Sequence, residues 1–351
     1  MRAAVMDGYR VPLVVREMPD PTIEPHGALV RVEANGICRS DWHTWVGDWM
    51  WIGAGDIKMP MVLGHEFCGV VEEVGPRVIR FKKGDRVIVP FSQGEGSCEQ
   101  CLSGNHHICD QQPSPGWSYW GGYGRLSAVP YADINLVRMP DEMDFVEAAS
   151  LGCRFMTSFH GLADRVQVQA GEWVAVHGCG GIGLSAVHIA TALGANVIAV
   201  DIDQKKLDFA KKLGAVATVN ASNQDPTEAV KDITKGGAHV SLDALGIAAT
   251  CRNAVRSLRK RGRHLQIGMT GAAEKGEISL PIDHIIGSEI SLYGSQGMAP
   301  RRYDSMLKMI ETRKLKPKSL VTGTVPLEEA GKVLASMDTF ATLGVVVINR
   351  Y

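Results

Sequence analysis

The chain has 351 residues, 45% of them hydrophobic and 21% charged, with a formal net charge of -1. That is room for two domains of ordinary globular composition. The absence of a basic or acidic excess excludes nucleic acid and membrane surfaces as default partners and leaves small molecules. The N-terminal MRAAVMDGYR carries Asp7 and lacks an apolar run ending in a cleavage site, so a secretory leader is not expected. No apolar run approaches the roughly 18 to 20 residues of a membrane span. A cytoplasmic protein is therefore expected, with its eight cysteines serving as thiols or metal ligands rather than disulfides.

Up to about residue 150 the chain alternates short β-branched runs, ALVRVEA, GVVEEVG and RVIVP, with Gly and Pro, which predicts a mostly antiparallel β domain with long loops. From Gly171 strand and helix alternate: EWVAVHG, then GIGLSAVHIATALG closed by Gly194, NVIAVD, and DQKKLDFAKKLG closed by Gly214. AHVSLDAL, a helical AATCRNAVRSLRKRG and a strand RHLQIG continue the pattern, predicting an α/β fold with a doubly wound parallel sheet. Beyond residue 294 a helix is expected over Arg301–Arg313, another after Pro326, and a final strand GVVVIN. The expected divisions are 1–152, 153–293 and 294–351.

HGCGGIG places Gly178, Gly180 and Gly183 in the G-x-G-x-x-G spacing between a strand and a helix. The first glycine permits the tight turn, the second lets the backbone approach a pyrophosphate, and the third lets helix and strand pack closely. The next strand ends at Asp201, whose carboxylate suits an adenosine ribose and repels a 2'-phosphate, so NAD is expected over NADP.

GICRSDWH contains Cys38 and GHEFCGVVEEVG contains His65 and Glu66, while Cys153 lies in LGCRFMT. Thiolate, imidazole and carboxylate are all zinc ligands. Taken singly, such cysteines are more often small buried apolar residues, and a lone histidine is more often a satisfied core or surface group.

The run GHEFCGVVEEVGPRV resembles the zinc signature of the medium-chain alcohol dehydrogenases, and GICRSDWH, the Cys153 segment and HGCGGIG follow in that family's order. The resemblance spans essentially the whole chain. It implies a Rossmann domain joined to a GroES-like β domain, and a catalytic zinc held by Cys38, His65 and Cys153 with an open fourth position. Glu66 would lie beside the metal and could exchange onto it. Asp41 would hold the free ring nitrogen of His65. Arg39 would contact the cofactor pyrophosphate, and Ser40 and His43 would carry the alcohol's proton to solvent. Thr157, Gly181, Ile182, Lys206, Ile267 and Met269 join the glycines and Asp201 as expected NAD contacts.

The resemblance implies hydride transfer between a small alcohol and NAD, giving an aldehyde or ketone. Polyol, sugar and other hydroxy-metabolite dehydrogenases of the superfamily are the alternative, although polyol enzymes typically lack the third cysteine that Cys153 supplies. Retention of the ligand and relay residues speaks against a non-catalytic NAD-binding protein. Phe91, Trp45 and Trp49 fall where relatives line the substrate pocket, though aromatics in a loop serve equally as core packing. Gly344 stands where many relatives place a basic residue for the pyrophosphate, implying weaker cofactor binding. A homo-oligomer, dimer or tetramer, joined through the edge EISLYGS is also implied. Finally, over about residues 93–112, Glu95, Cys98, Cys101 and Cys109 occupy the four-cysteine spacing of the family's structural zinc, with a carboxylate in first place. A second zinc is expected there; a lobe without metal and a cluster of free thiols are the alternatives.

Overall fold

The structure, a computed structural model, describes residues 1–52, 57–340 and 342–351. They form two units, Met1–Met156 with Gly297–Tyr351, and Thr157–Gln296. Both breaks fall a few residues later than the sequence suggests, the first because the buried turn carrying Cys153 packs with the first unit.

In the first unit a seven-stranded sheet runs in the order Val321–Pro326, Val345–Arg350, Ala28–Ile37, Phe67–Val74, Arg86–Val89, Val137–Arg138, with Leu126–Val129 also pairing with Ala28–Ile37. Only the pair formed by the two C-terminal strands is parallel. Along Ala28–Ile37 the burial alternates until Ala34 and then becomes continuous, so the strand leaves one-sided exposure and runs inside just before Cys38. A three-stranded sheet of Val14–Glu17, Arg2–Met6 and Met61–Val62 accompanies it.

The second unit has six parallel strands in the order Ala217–Asn220, Asn196–Asp201, Trp173–His177, Ala238–Asp243, Leu258–Gln266, Ser291–Gly294, the doubly wound arrangement with its order reversing beside Trp173–His177. Ser291–Gly294 is an edge strand. Two elements differ from the sequence reading. The helix at AATCRNAVR ends at Arg256, where the Ser257 hydroxyl donates to Ala254 O, and buried Leu258 already pairs with Ala238. The strand thus takes in Arg259 and Lys260, which the sequence assigned to the helix, and a register shift with left-handed Arg261 absorbs them. The short strand Ala217–Asn220 and the helix Pro226–Thr234 add to the sequence reading; the strand's four residues carry too little alternation to register.

Candidate functional site

Cys38 caps the helix Arg39–Val46 in an extended conformation. Its backbone N–H donates to the Asp41 carboxylate at 3.0 Å. The same carboxylate accepts from Gly64 N at 3.1 Å, meets His65 Nδ1 at 2.7 Å and takes the Tyr123 hydroxyl at 3.3 Å. Asp41, 2% exposed, therefore fixes one cysteine and one histidine of distant segments together. His65 and Glu66 lead into the strand Phe67–Val74, and Cys153 sits in a wide π turn, Leu151–Phe155, of a kind that often marks functional sites.

The ligand atoms of Cys38, His65, Glu66 and Cys153 lie within 4.8 Å of one another, all buried. With Nδ1 on Asp41, His65 presents Nε2, which is buried and has no hydrogen-bond partner among the described residues. An orphaned imidazole nitrogen facing two sulfurs is a donor set that suits zinc.

The close approach of these groups shows in their electrostatics. The Cys153 thiol holds Cys38 well below the usual thiol range, with Arg154 and His65 acting in the same sense against burial. The same pairing, with burial, holds Cys153 well above it. Burial opposes a charge on His65, but Asp41 and Cys38 outweigh it and raise the imidazole. Burial pushes Glu66 up to about 7 in spite of Arg154. Arg154, which the sequence reading passed over, donates from Nε to Glu66 Oε1 at 2.9 Å and from a terminal nitrogen to Oε2. Its only signal was position, next to Cys153.

Around this cluster the predicted residues divide. Ser40 Oγ lies 3.9 Å from Cys38 Sγ, and Phe91 packs edge-on to His65 at 5.9 Å. His43 Nδ1 meets Asp48 at 2.6 Å and stacks on Trp49 at 4.5 Å, and burial lowers its pKa against the pull of Asp48. Trp45 is a correction. It belongs to the core cluster with Ala3, Met6 and Leu327, and its indole N–H donates to Val11 O, so it is packing rather than pocket wall. Arg39 donates to Met337 O and lies between the Trp42 and Phe340 rings, 4.1 and 3.6 Å from their centroids.

The second cluster is local. Glu95, Cys98, Cys101 and Cys109 also bring their ligand atoms within 4.8 Å. Cys98 and Cys109 sulfurs are 3.7 Å apart, close to the ~3.8 Å that two thiolates span on a tetrahedral zinc with ~2.3 Å bonds. Glu95 accepts from Ser97 N and Oγ and from Cys98 N, which hold its carboxyl below the usual range.

In the second unit the glycine turn is shaped as the spacing predicts. Gly178 has φ +91°, and a Cβ on Gly183 would fall 1.7 Å from Gly178 O. A Cβ on Gly180 would meet nothing, leaving the backbone open to a ligand at the start of the helix Gly181–Ala192, which holds Ile182. Asp201 ends its strand and accepts from Cys179 N at 2.6 Å and Asp203 N at 2.9 Å. Lys206 is near enough to act on the Cys179 thiol. Ile267 is buried and Met269 exposed just past the strand Leu258–Gln266, and Thr157 is buried.

Comparison with known proteins gives these features a common setting. Residues 24–141 match the alcohol dehydrogenase GroES-like domain and residues 181–312 the zinc-binding dehydrogenase family. An alcohol dehydrogenase of Geobacillus stearothermophilus is 33% identical over 351 residues, 99% of each chain. A sorbitol dehydrogenase of Bacillus subtilis is 33% identical over 94% of this chain and 91% of its own. A solved NAD-dependent alcohol dehydrogenase superposes over 100% of both chains with a TM-score of 0.89 and 31% identity. Likeness of this extent, over both units, means that the chain belongs to the zinc-containing medium-chain alcohol dehydrogenase family.

Proposed function

We propose that the protein is an NAD-dependent zinc alcohol dehydrogenase, moving a hydride between the carbinol carbon of an alcohol and the nicotinamide to give an aldehyde or ketone. The observation that carries this reading is the buried set Cys38, His65, Cys153 with His65 Nε2 left over for a metal. An alcohol ionises only near ~16, and a zinc ion held there supplies the missing acidity. Asp41 keeps His65 in the tautomer that offers Nε2. Ser40 both accepts and donates, so it can pass the substrate proton on. His43, kept neutral by burial, can receive it by way of the nicotinamide ribose and release it to solvent. Phe91 and Trp49 form the apolar side of the pocket.

Gly178, Gly180, Gly183 and the helix N-terminus at Gly181 and Ile182 hold the NAD pyrophosphate, and Asp201 takes the ribose. Lys206, Ile267, Met269 and Thr157 complete the cradle. Glu95, Cys98, Cys101 and Cys109 hold a second zinc that serves stability alone, since four protein ligands leave no place for substrate. The assembly is a homo-oligomer, a reading supported by the edge strand Ser291–Gly294 with exposed Leu292. A cytoplasmic location is supported by eight cysteines that form no disulfide among the described residues. Among the described residues no helix is long and apolar enough to cross a membrane.

The test is a panel of primary alcohols, secondary alcohols and polyols with NAD or NADP, followed by the absorbance of reduced nicotinamide. Reduction of NAD by simple alcohols is expected, with NADP used less well. Preference for polyols would favour the reading that the sorbitol dehydrogenase likeness supports. A zinc-replete protein that reduces neither nucleotide with any of them would end both.

A further inference from the structure

Glu66 stands between two partners. Its carboxylate is fully buried, and it lies within 4.8 Å of the donor atoms of Cys38, His65 and Cys153, inside the reach of a fourth protein ligand. A buried carboxylate needs a counter-charge or a metal. Here Arg154 provides the first, with Nε on Oε1 at 2.9 Å, a terminal nitrogen on Oε2 and its backbone N–H on Oε1 at 3.3 Å. The planar fork of a guanidinium satisfies both oxygens at once, which a point charge cannot do.

The surroundings are built around that grip. A Cβ on Gly36 would fall 2.3 Å from Glu66 Oε2 and 3.1 Å from an Arg154 nitrogen, and one on Gly152 would fall 2.8 Å from the Glu66 Cα. Two glycines therefore clear the space that the pair fills. Charge points the same way. Two thiolates neutralise a divalent metal, so Glu66 adds a surplus negative charge in a buried place, and Arg154 cancels it. Because Arg154 directly follows Cys153 on the same turn, the ligand and the restraint on Glu66 are placed by one element.

We propose that Arg154 is a positioning residue: by holding Glu66 through both oxygens it keeps that carboxylate from closing the metal site, and so reserves the fourth position for substrate. The proposal rests on the reading that Cys38, His65 and Cys153 bind the catalytic metal.

Cobalt(II) exchanged for zinc gives a visible spectrum sensitive to ligand number, and imidazole serves as the probe of an open position. The parent protein is expected to shift its spectrum on imidazole titration. In Arg154→Leu the spectrum before titration should change and imidazole should bind at least about tenfold more weakly, the lower end of the scale typical of lost outer partners. Arg154→Leu with Glu66→Gln should recover the imidazole response, which a general loss of folding could not produce. Arg154→Lys, which keeps charge and loses the paired grip, should fall between parent and Arg154→Leu, and it carries the test if the leucine variant does not fold. A parent-like spectrum and imidazole affinity in the variants would overturn the proposal while leaving the metal assignment standing. A parent that ignores imidazole, or a Cys153→Ala protein that still responds as the parent does, would overturn the metal assignment and this proposal with it.

Discussion

The two donor clusters of the first unit have similar ligands and opposite construction. Cys38, His65, Glu66 and Cys153 come from three separated segments and are buried, while Glu95, Cys98, Cys101 and Cys109 come from one loop and are only partly so. The loop can form its cluster from local chain alone, with Cys98 capping a short helix and accepting from Cys101 N. The other requires the sheet, the helix Arg39–Val46 and the Cys153 turn to be in place first. Their acids differ in the same way. Glu95 is held by its own loop's N–H groups, and Glu66 by a cation 88 residues away. A cluster that depends on the fold can be exposed to chemistry without being needed to make the fold, whereas a local cluster closed by four donors can do little except stiffen its loop.

The largest expected effect breaks the buried cluster alone. Cys153→Ala should lose one metal of two by elemental analysis and drop turnover to background, while NAD binding, followed by quenching of protein fluorescence, stays near the parent's. Substantial turnover in a variant holding a single metal would put the chemistry elsewhere. Next in size, His43→Ala should slow alcohol oxidation near neutral pH by about a hundredfold, the lower range for a positioned proton carrier, with imidazole-type buffers restoring part of the rate. An unaltered pH profile would mean the proton leaves by another route.

How far the sequence disclosed these sites follows from their construction. The lobe and the glycine turn are readable because their spacing is their geometry: Gly183 must be small since Gly178 O lies where its Cβ would go. The strands Trp173–His177 and Asn196–Asp201 were legible as short apolar runs, the first between two glycines and the second between Gly194 and an acidic turn. The buried cluster was assembled only through family resemblance, because nothing in 38, 65 and 153 as numbers brings three segments together. Arg154 escaped because a charged residue beside a ligand has no periodic signature, and its partner is distant in sequence. Trp45 misled because an aromatic on a helix shows the same letter whether it faces a pocket or the core, and only its place in the folded cluster with Ala3, Met6 and Leu327 tells which.

Smaller effects come from the lobe. Glu95→Ala should weaken the second metal and lower the thermal midpoint by a few degrees, since metal binding in such a loop is folding free energy. Initial turnover should change by less than about twofold, because a four-donor site offers substrate no position. A protein with one metal per chain and a midpoint indifferent to this substitution would reduce the lobe to a group of thiols.

The smallest effect distinguishes the two acids by the sense in which they titrate in chelator-treated protein. Burial raises Glu66 from 4.5 to about 7, so the folded form holds its proton where the unfolded form has lost it. Its contribution is fully present below about 4.5 and is lost as the pH rises through about 7. Glu95 is lowered by the Ser97 and Cys98 donors, so its contribution is present above about 4.5 and is lost as the pH falls through the depressed value. Thermal midpoints measured against pH should therefore lose slope between about 4.5 and 7 in Glu66→Gln, and only on the more acid side in Glu95→Gln. The Glu95 change should be slight because that carboxylate is solvated and screened. If both variants alter the same limb, the contrast between an acid held by the fold and one held by its own loop is wrong.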